Sequence, residues 1–281
     1  MTFPASFMPA GYSLAATLCW GTSDFLGGYG SRRANAVLLT TLAHASGAVL
    51  MFTLALATHA ALPPVSSMLW SVAAGVSGGG ALALFYRVLS SGRMGLTAPV
   101  AAVLGAAIPV LFGMMREGAP GILPTAGFIL AVLGIWLISR AEDNHRPEGL
   151  GMAVLSGLGF AGYFLLTRQA GNASALWISG LARCSAFLLT GAIVLFGSGF
   201  RNINGWTLRF GIIAGFIDVS GSAFYIHASQ TGRLDAAVVI SSLYPAITVL
   251  LARIVLKEHF TRWKALGMAA ALLAVPLIAL R

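Results

Sequence analysis

Four ionisable residues stand inside long apolar runs: Asp24, His44, Arg183 and Asp218. Insertion scales put a central arginine in a membrane helix at about +2.5 to +3.5 kcal/mol, so such residues must face protein or water and are functional candidates by default. The two carboxyls suit a proton carrier or a substrate contact; they also suit a hydrogen-bonded packing position. An imidazole such as His44 titrates near neutral pH, or is satisfied by a neighbouring hydroxyl or carbonyl. Arg183 reads as a counter-ion to Asp24 or Asp218, as a clamp for an anionic substrate, or as a structural arginine bound to carbonyls. The four are spread over four runs, with no metal-ligand spacing among them. No HExxH, Walker A, GxSxG or EF-hand pattern occurs. The expectation is therefore no enzyme, no ATP-driven pump, and no cofactor or metal.

Trp20, Asp24 and Gly28 recur at i, i+4 and i+8 and share a helix face. Asp218 shares one with Ala214, Gly221 and Tyr225, and Ser241, Tyr244, Pro245 and Thr248 line one side of a later run. Trp20, Phe85, Tyr163 and Tyr225 are candidate aromatic walls; Ser241 and Tyr244 add hydroxyls. Gly157, Gly159 and Gly162 spell GxGxxG, but no strand precedes them and they lie in an apolar run, so they read as a packing face. The sequon at Asn172-Ala173-Ser174 abuts a span and reads as idle.

The elements that must hold these residues are membrane helices. Hydrophobic residues make up 58% of the 281 and charged residues only 9%, against about 25% charged in soluble domains; the mean hydropathy is +0.86. A spanning helix needs roughly 20 mostly apolar residues, and ten such runs follow one another: about 11–30, 36–58, 67–90, 95–115, 122–139, 149–168, 174–198, 207–230, 235–256 and 263–280. The last three are expected as continuous helices over Gly211–Gln230, Ala236–Leu256 and Trp263–Leu280. The net charge of +9 sits singly at helix ends, where it sets topology, so no nucleic-acid partner is expected. Cys19 and Cys184 fall inside apolar runs, which argues against a disulfide. The start lacks a basic n-region, so the first run reads as a span.

A shift of 140 residues lays a second copy on the first. Ala214-Gly215 falls on Ala74-Gly75, Gly232-Arg233 on Gly92-Arg93, Gly267 on Gly127, and Leu277-Ile278 on Leu137-Ile138. Arg183 lands on Ala43, beside His44. The polar stretch Arg140–Gly149 divides the chain near its centre, which gives a first repeat at 1–140, a connector at 141–148 and a second repeat at 149–281. Five spans per copy is an odd number, so the copies enter from opposite sides and form an inverted repeat with a site near the midplane. The fold class expected is all-α, with ten transmembrane helices as two inverted five-helix repeats. Helices 1, 3, 4, 6, 8 and 9 should line the cavity, with helices 2 and 7 contributing His44 and Arg183.

Trp20-Gly21-Thr22-Ser23 resembles the first-helix signature of the EamA branch of the drug/metabolite transporter superfamily. Tyr244-Pro245, then Lys257-Glu258 and Gly267, resemble its Pro…Glu…Gly pattern, and Arg183 occupies the place of its second-helix arginine. The likeness spans nearly the whole chain as two copies. It departs where His44 replaces Arg, Asp24 replaces a common Asn, and Gly105 stands opposite Pro245. The resemblance implies a central cavity, alternating access, and proton-coupled or exchange-driven export of a small metabolite such as an amino acid or drug. It also implies a multi-pass protein of the bacterial plasma (inner) membrane, as a monomer or weak homodimer. Sugar uptake within the superfamily and a passive channel are the alternatives. Eleven basic residues on one side of the alternating loops against four on the other put both termini outside by the positive-inside rule; the resemblance implies cytoplasmic termini.

Overall fold

The computed structural model describes residues 8–90, 94–139, 150–197, 203–257 and 261–279. The Gly92-Arg93 turn, the connector 141–148 and Glu258 lie outside the described residues. Among the described residues there are eleven helices and no strand: α1 Met8–Ser31, α2 Ala36–Ala57, α3 Val65–Ser90, α4 Met94–Glu117, α5 Ile122–Ser139, α6 Leu150–Gln169, α7 Ala175–Phe196, α8 Gly205–Thr231, α9 Leu234–Ser241, α10 Tyr244–Leu256 and α11 Arg262–Ala279. Six segments are long and apolar enough to cross a membrane: Ala36–Ala57, Val65–Arg87, Gly151–Gln169, Ala175–Phe196, Gly205–Thr231 and Leu234–Leu256. Helix α1 is not among them, because Ser13, Thr17, Ser23, Asp24 and several glycines dilute its hydropathy.

The expected helix over Ala236–Leu256 is two helices in tandem. Ser242 and Leu243 leave the helical path between α9 and α10. The cause is Pro245: it has no N–H to bond the Ser241 carbonyl, its ring crowds the preceding turn, and it suits the first turn of a new helix. Helix α8 also starts earlier than its apolar stretch, at an Asn204 cap whose side chain accepts from Thr207 N. Asn35 caps α2 in the same way, accepting from Val37 N at 3.0 Å and Leu38 N at 3.1 Å.

Charged and polar residues are buried within an otherwise apolar interior, and the outer surface is apolar. Asp24, His44, Arg183, Asp218 and Asp235 are buried, whereas Val49, Leu111, Leu188, Phe196 and Leu272 stand exposed. An outer surface of this kind fits hydrocarbon and not water. Interior hydroxyls bond carbonyls one turn back, as Thr40 does to Ala36 at 2.8 Å and Thr190 to Ala186 at 2.9 Å, which satisfies them without a partner helix.

Helix pairs close around small residues, since lipid offers no hydrophobic drive and packing must supply it. Helix α1 packs on α8, α3 on α6, α2 on α7, and α5 on α11. Gly75 of α3 sits against Ala182 and Ser185 of α7, and Gly215 of α8 against Ala43 and Ser46 of α2; neither leaves room for a methyl group. Ser185 Oγ donates to Val72 O at 2.9 Å and lies 3.0 Å from Ala182 O. Ser46 Oγ repeats the pattern with Ile212 O at 3.4 Å and Ala43 O at 3.1 Å.

Candidate functional site

Helices α1, α3, α4, α6, α7 and α8 and the α9–α10 break enclose one cavity about halfway along their length. Its space, including the open mouth, is about 680 Å³. Glycines 75, 78 and 79 of α3 and Gly105 of α4 form one wall without side chains. Trp20, Phe160, Tyr163, Phe164 and Tyr244 supply an aromatic lining.

Three charged side chains face this space: Asp24, Arg183 and Asp218. Arg183 Nη2 lies 2.8 Å from Asp218 Oδ2 and donates to Ser222 Oγ at 2.6 Å. On its other side Arg183 Nη1 stands 3.4 Å from His44 Nδ1. A guanidinium only donates, so that ring nitrogen is the acceptor and His44 carries its hydrogen on Nε2. Asp24 is held differently: Tyr86 Oη donates to Asp24 Oδ1 at 3.2 Å. One carboxylate thus has a cation and the other a phenol, inside the same cavity.

Neighbouring bonds fix the frame. Trp20 Nε1 donates to Asp218 O at 3.2 Å, so α1 reads the backbone of α8 where its acid projects. Tyr225 Oη donates to Phe164 O at 3.2 Å. Thr17 Oγ1 donates to Ile240 O at 2.7 Å and Thr248 Oγ1 to Gly21 O at 3.0 Å, fastening α1 on both sides of the α9–α10 break.

Residues 147–280 match the EamA-like transporter family. That match covers the second half of the chain and is consistent with an EamA-type transporter of the drug/metabolite transporter superfamily. Among the curated proteins, none matches the chain. A solved crystal structure of a protein is similar over 97% of this chain and 98% of its own, with a TM-score of 0.80 and 18% identity; that likeness is one of fold. The matched family is one of membrane transporters, which supports a transporter reading for this chain.

Of the ten residues singled out in the sequence, Trp20, Asp24, Tyr163, Arg183, Asp218 and Tyr244 line the cavity. His44, Phe85, Tyr225 and Ser241 lie behind the lining. His44 backs Arg183, Phe85 packs edge-to-face on Phe160, Tyr225 stacks between Trp20 and Phe164, and Ser241 Oγ donates to Ser13 O at 3.4 Å. Tyr86 and Ser222, the partners of Asp24 and Arg183, were not among the ten. Tyr86 had a signal: Gly75, Gly79, Leu82 and Tyr86 follow i, i+4, i+7 and i+11, one face of α3.

Proposed function

We propose that this protein is a secondary transporter that exports a small polar or amphipathic metabolite, amino-acid-like or drug-like, by alternating access coupled to protons. The observation that carries this reading is the mid-length cavity faced by a paired acid, Asp218, and by an acid, Asp24, that has no cation against it among the described residues. An ionised carboxyl away from water is costly unless paired. In this reading Asp24 takes up and releases the proton, and Arg183 exchanges Asp218 for substrate as the cavity turns from one face to the other. His44 positions Arg183 through its Nδ1 acceptor. The aromatic lining would bind the apolar part of the substrate.

The repeat organisation, 1–140 and 149–281 joined by 141–148, with ten spans and the second copy inverted, belongs to the same reading. It is supported by the matched hydrogen bonds of Ser46 and Ser185 and by the matched glycines 75 and 215. It is also supported by pair packing that maps onto itself when α1–α5 exchange with α6–α11. A monomer or weak homodimer in a bacterial inner membrane is the setting proposed.

A thermal-shift screen over amino acids, sugars and cationic drugs identifies the ligand, and proteoliposomes then test proton coupling. Replacing both Asp24 and Asp218 by Asn should abolish substrate-driven proton flux. Flux that survives in the double variant rules the mechanism out.

A further inference from the structure

A second ionic cluster, away from the cavity, joins the ends of the helices that line it. Arg168 Nη2 lies 3.3 Å from Glu117 Oε1, and its Nη1 donates to Ser229 O. Arg233 grips Asp235 with two bonds, Nη2 to Oδ2 at 2.8 Å and Nε to Oδ1 at 3.1 Å. The same guanidinium donates to Glu117 O at 3.1 Å and Gly118 O at 2.7 Å. Glu117 in turn accepts from Leu234 N at 3.3 Å. The ends of α4, α6, α8 and α9 are thereby stitched into one knot. The hydrogen bonds from Asp235 raise the Arg233 guanidinium above its ordinary value, so it stays charged.

These helices also carry cavity residues: Gly105 on α4, Phe164 on α6, Asp218 on α8, and Ser242 directly after α9. At 1.5 Å per residue, Glu117 lies about 18 Å along α4 from Gly105, and Asp235 about 10 Å from Ser242. The knot therefore caps one end of the cavity. Its arginines and Glu117 keep between 23% and 32% of their side-chain surface exposed, so water can replace the bonds of Glu117 as the helices part. Asp235 is wholly buried and would be costly to unpair, so its bonds to Arg233, two residues before it, stay made.

In sequence, the 140-residue shift supplies an incomplete set of counterparts. Arg233 falls on Arg93 and Glu117 on Lys257, with Glu258 next to it. Arg168 falls on Gly28 and Asp235 on Gly95. Two members of the knot have no charged equivalent in sequence.

We propose that the Glu117–Arg168–Arg233–Asp235 network is a lock that holds the cavity shut at this face. The proposal rests on the alternating-access reading. The test uses the full chain with Cys19 and Cys184 replaced by Ser and a single reporter, Ser242→Cys, in the cavity wall. A membrane-impermeant maleimide is added to either face of oriented vesicles. With the network intact, labelling comes from the face opposite the lock. Glu117→Gln and Arg168→Gln should each raise labelling from the lock face about tenfold, which corresponds to about 1.4 kcal/mol, while Glu117→Asp stays near the parent rate. Unfolding temperatures identify the variants that remain folded. Folded Glu117→Gln and Arg168→Gln proteins with parent labelling from the lock face would overturn the lock and leave the transporter reading standing. A reporter reached from neither face in any variant would overturn both.

Discussion

Ser46 and Ser185 make the same two hydrogen bonds in different halves of the molecule, yet the residues two positions before them, His44 and Arg183, differ in chemistry. The divergence continues along the matched helices. The 140-residue shift puts Gly78 where Asp218 stands, Leu82 where Ser222 stands, and Phe164 where Asp24 stands. The second half brings a complete ion pair with a hydroxyl; the first brings an acid, a phenol from Tyr86 and a neutral ring. In the proposed repeat the scaffold is matched and the polar chemistry is not. His44 and Arg183 also touch each other, as the proposed relation between the halves requires of matched residues on its axis. One basic group at that point can serve a single substrate at a time, which a fully duplicated pair would not ensure.

The contrast between the two acids gives the strongest test. Asp218→Asn leaves a buried guanidinium without its counter-ion and should cost about 3–5 kcal/mol, read as a large drop in unfolding temperature in detergent. Asp24→Asn keeps an oxygen for Tyr86 Oη and should cost under about 1 kcal/mol while removing proton coupling. Equal losses from the two would erase the distinction between them. The matched scaffold predicts the reverse pattern: Gly75→Ala and Gly215→Ala each force a methyl into a closed interface and should cost about 1–3 kcal/mol apiece, alike in size. Gly28→Ala meets nothing within 4 Å and should fall within about 0.5 kcal/mol of the parent. The smallest effect concerns His44. His44→Asn retains an acceptor for Arg183, whereas His44→Leu loses it; Asn should keep the parent pH profile of transport and Leu should shift it.

The charged cavity residues were legible in the sequence because apolar runs leave a charge conspicuous. Asp24, Arg183 and Asp218 had to face inward, and they do. The pairing of Arg183 with Asp218 and not Asp24 was not legible, since it depends on how α7 lies against α8. The proposed matching of the halves rests on a register that differs by one residue between helix pairs. Helix α3 starts 140 residues before α8 (205 − 65), but α2 starts 139 before α7 (175 − 36). A loop one residue longer in the second half shifts that register, so Arg183 matches His44 itself and not Ala43. Tyr86 was overlooked because the shift drew attention to Phe85 opposite Tyr225, although the face periodicity of α3 pointed to it. The break before Pro245 was not legible, because a proline in a membrane helix can bend it or break it; Pro109 lies within a continuous α4.

Proton flux measured with an internal pH dye in proteoliposomes, alongside substrate counterflow, addresses the division of labour between Asp24 and the Arg183–Asp218 pair. Asp24→Asn should continue to exchange substrate across the bilayer while no longer moving protons with it. Undiminished proton movement in that variant, or loss of exchange with Asp24→Asn equal to that with Asp218→Asn, would contradict the assignment of the proton to the acid that Tyr86 holds.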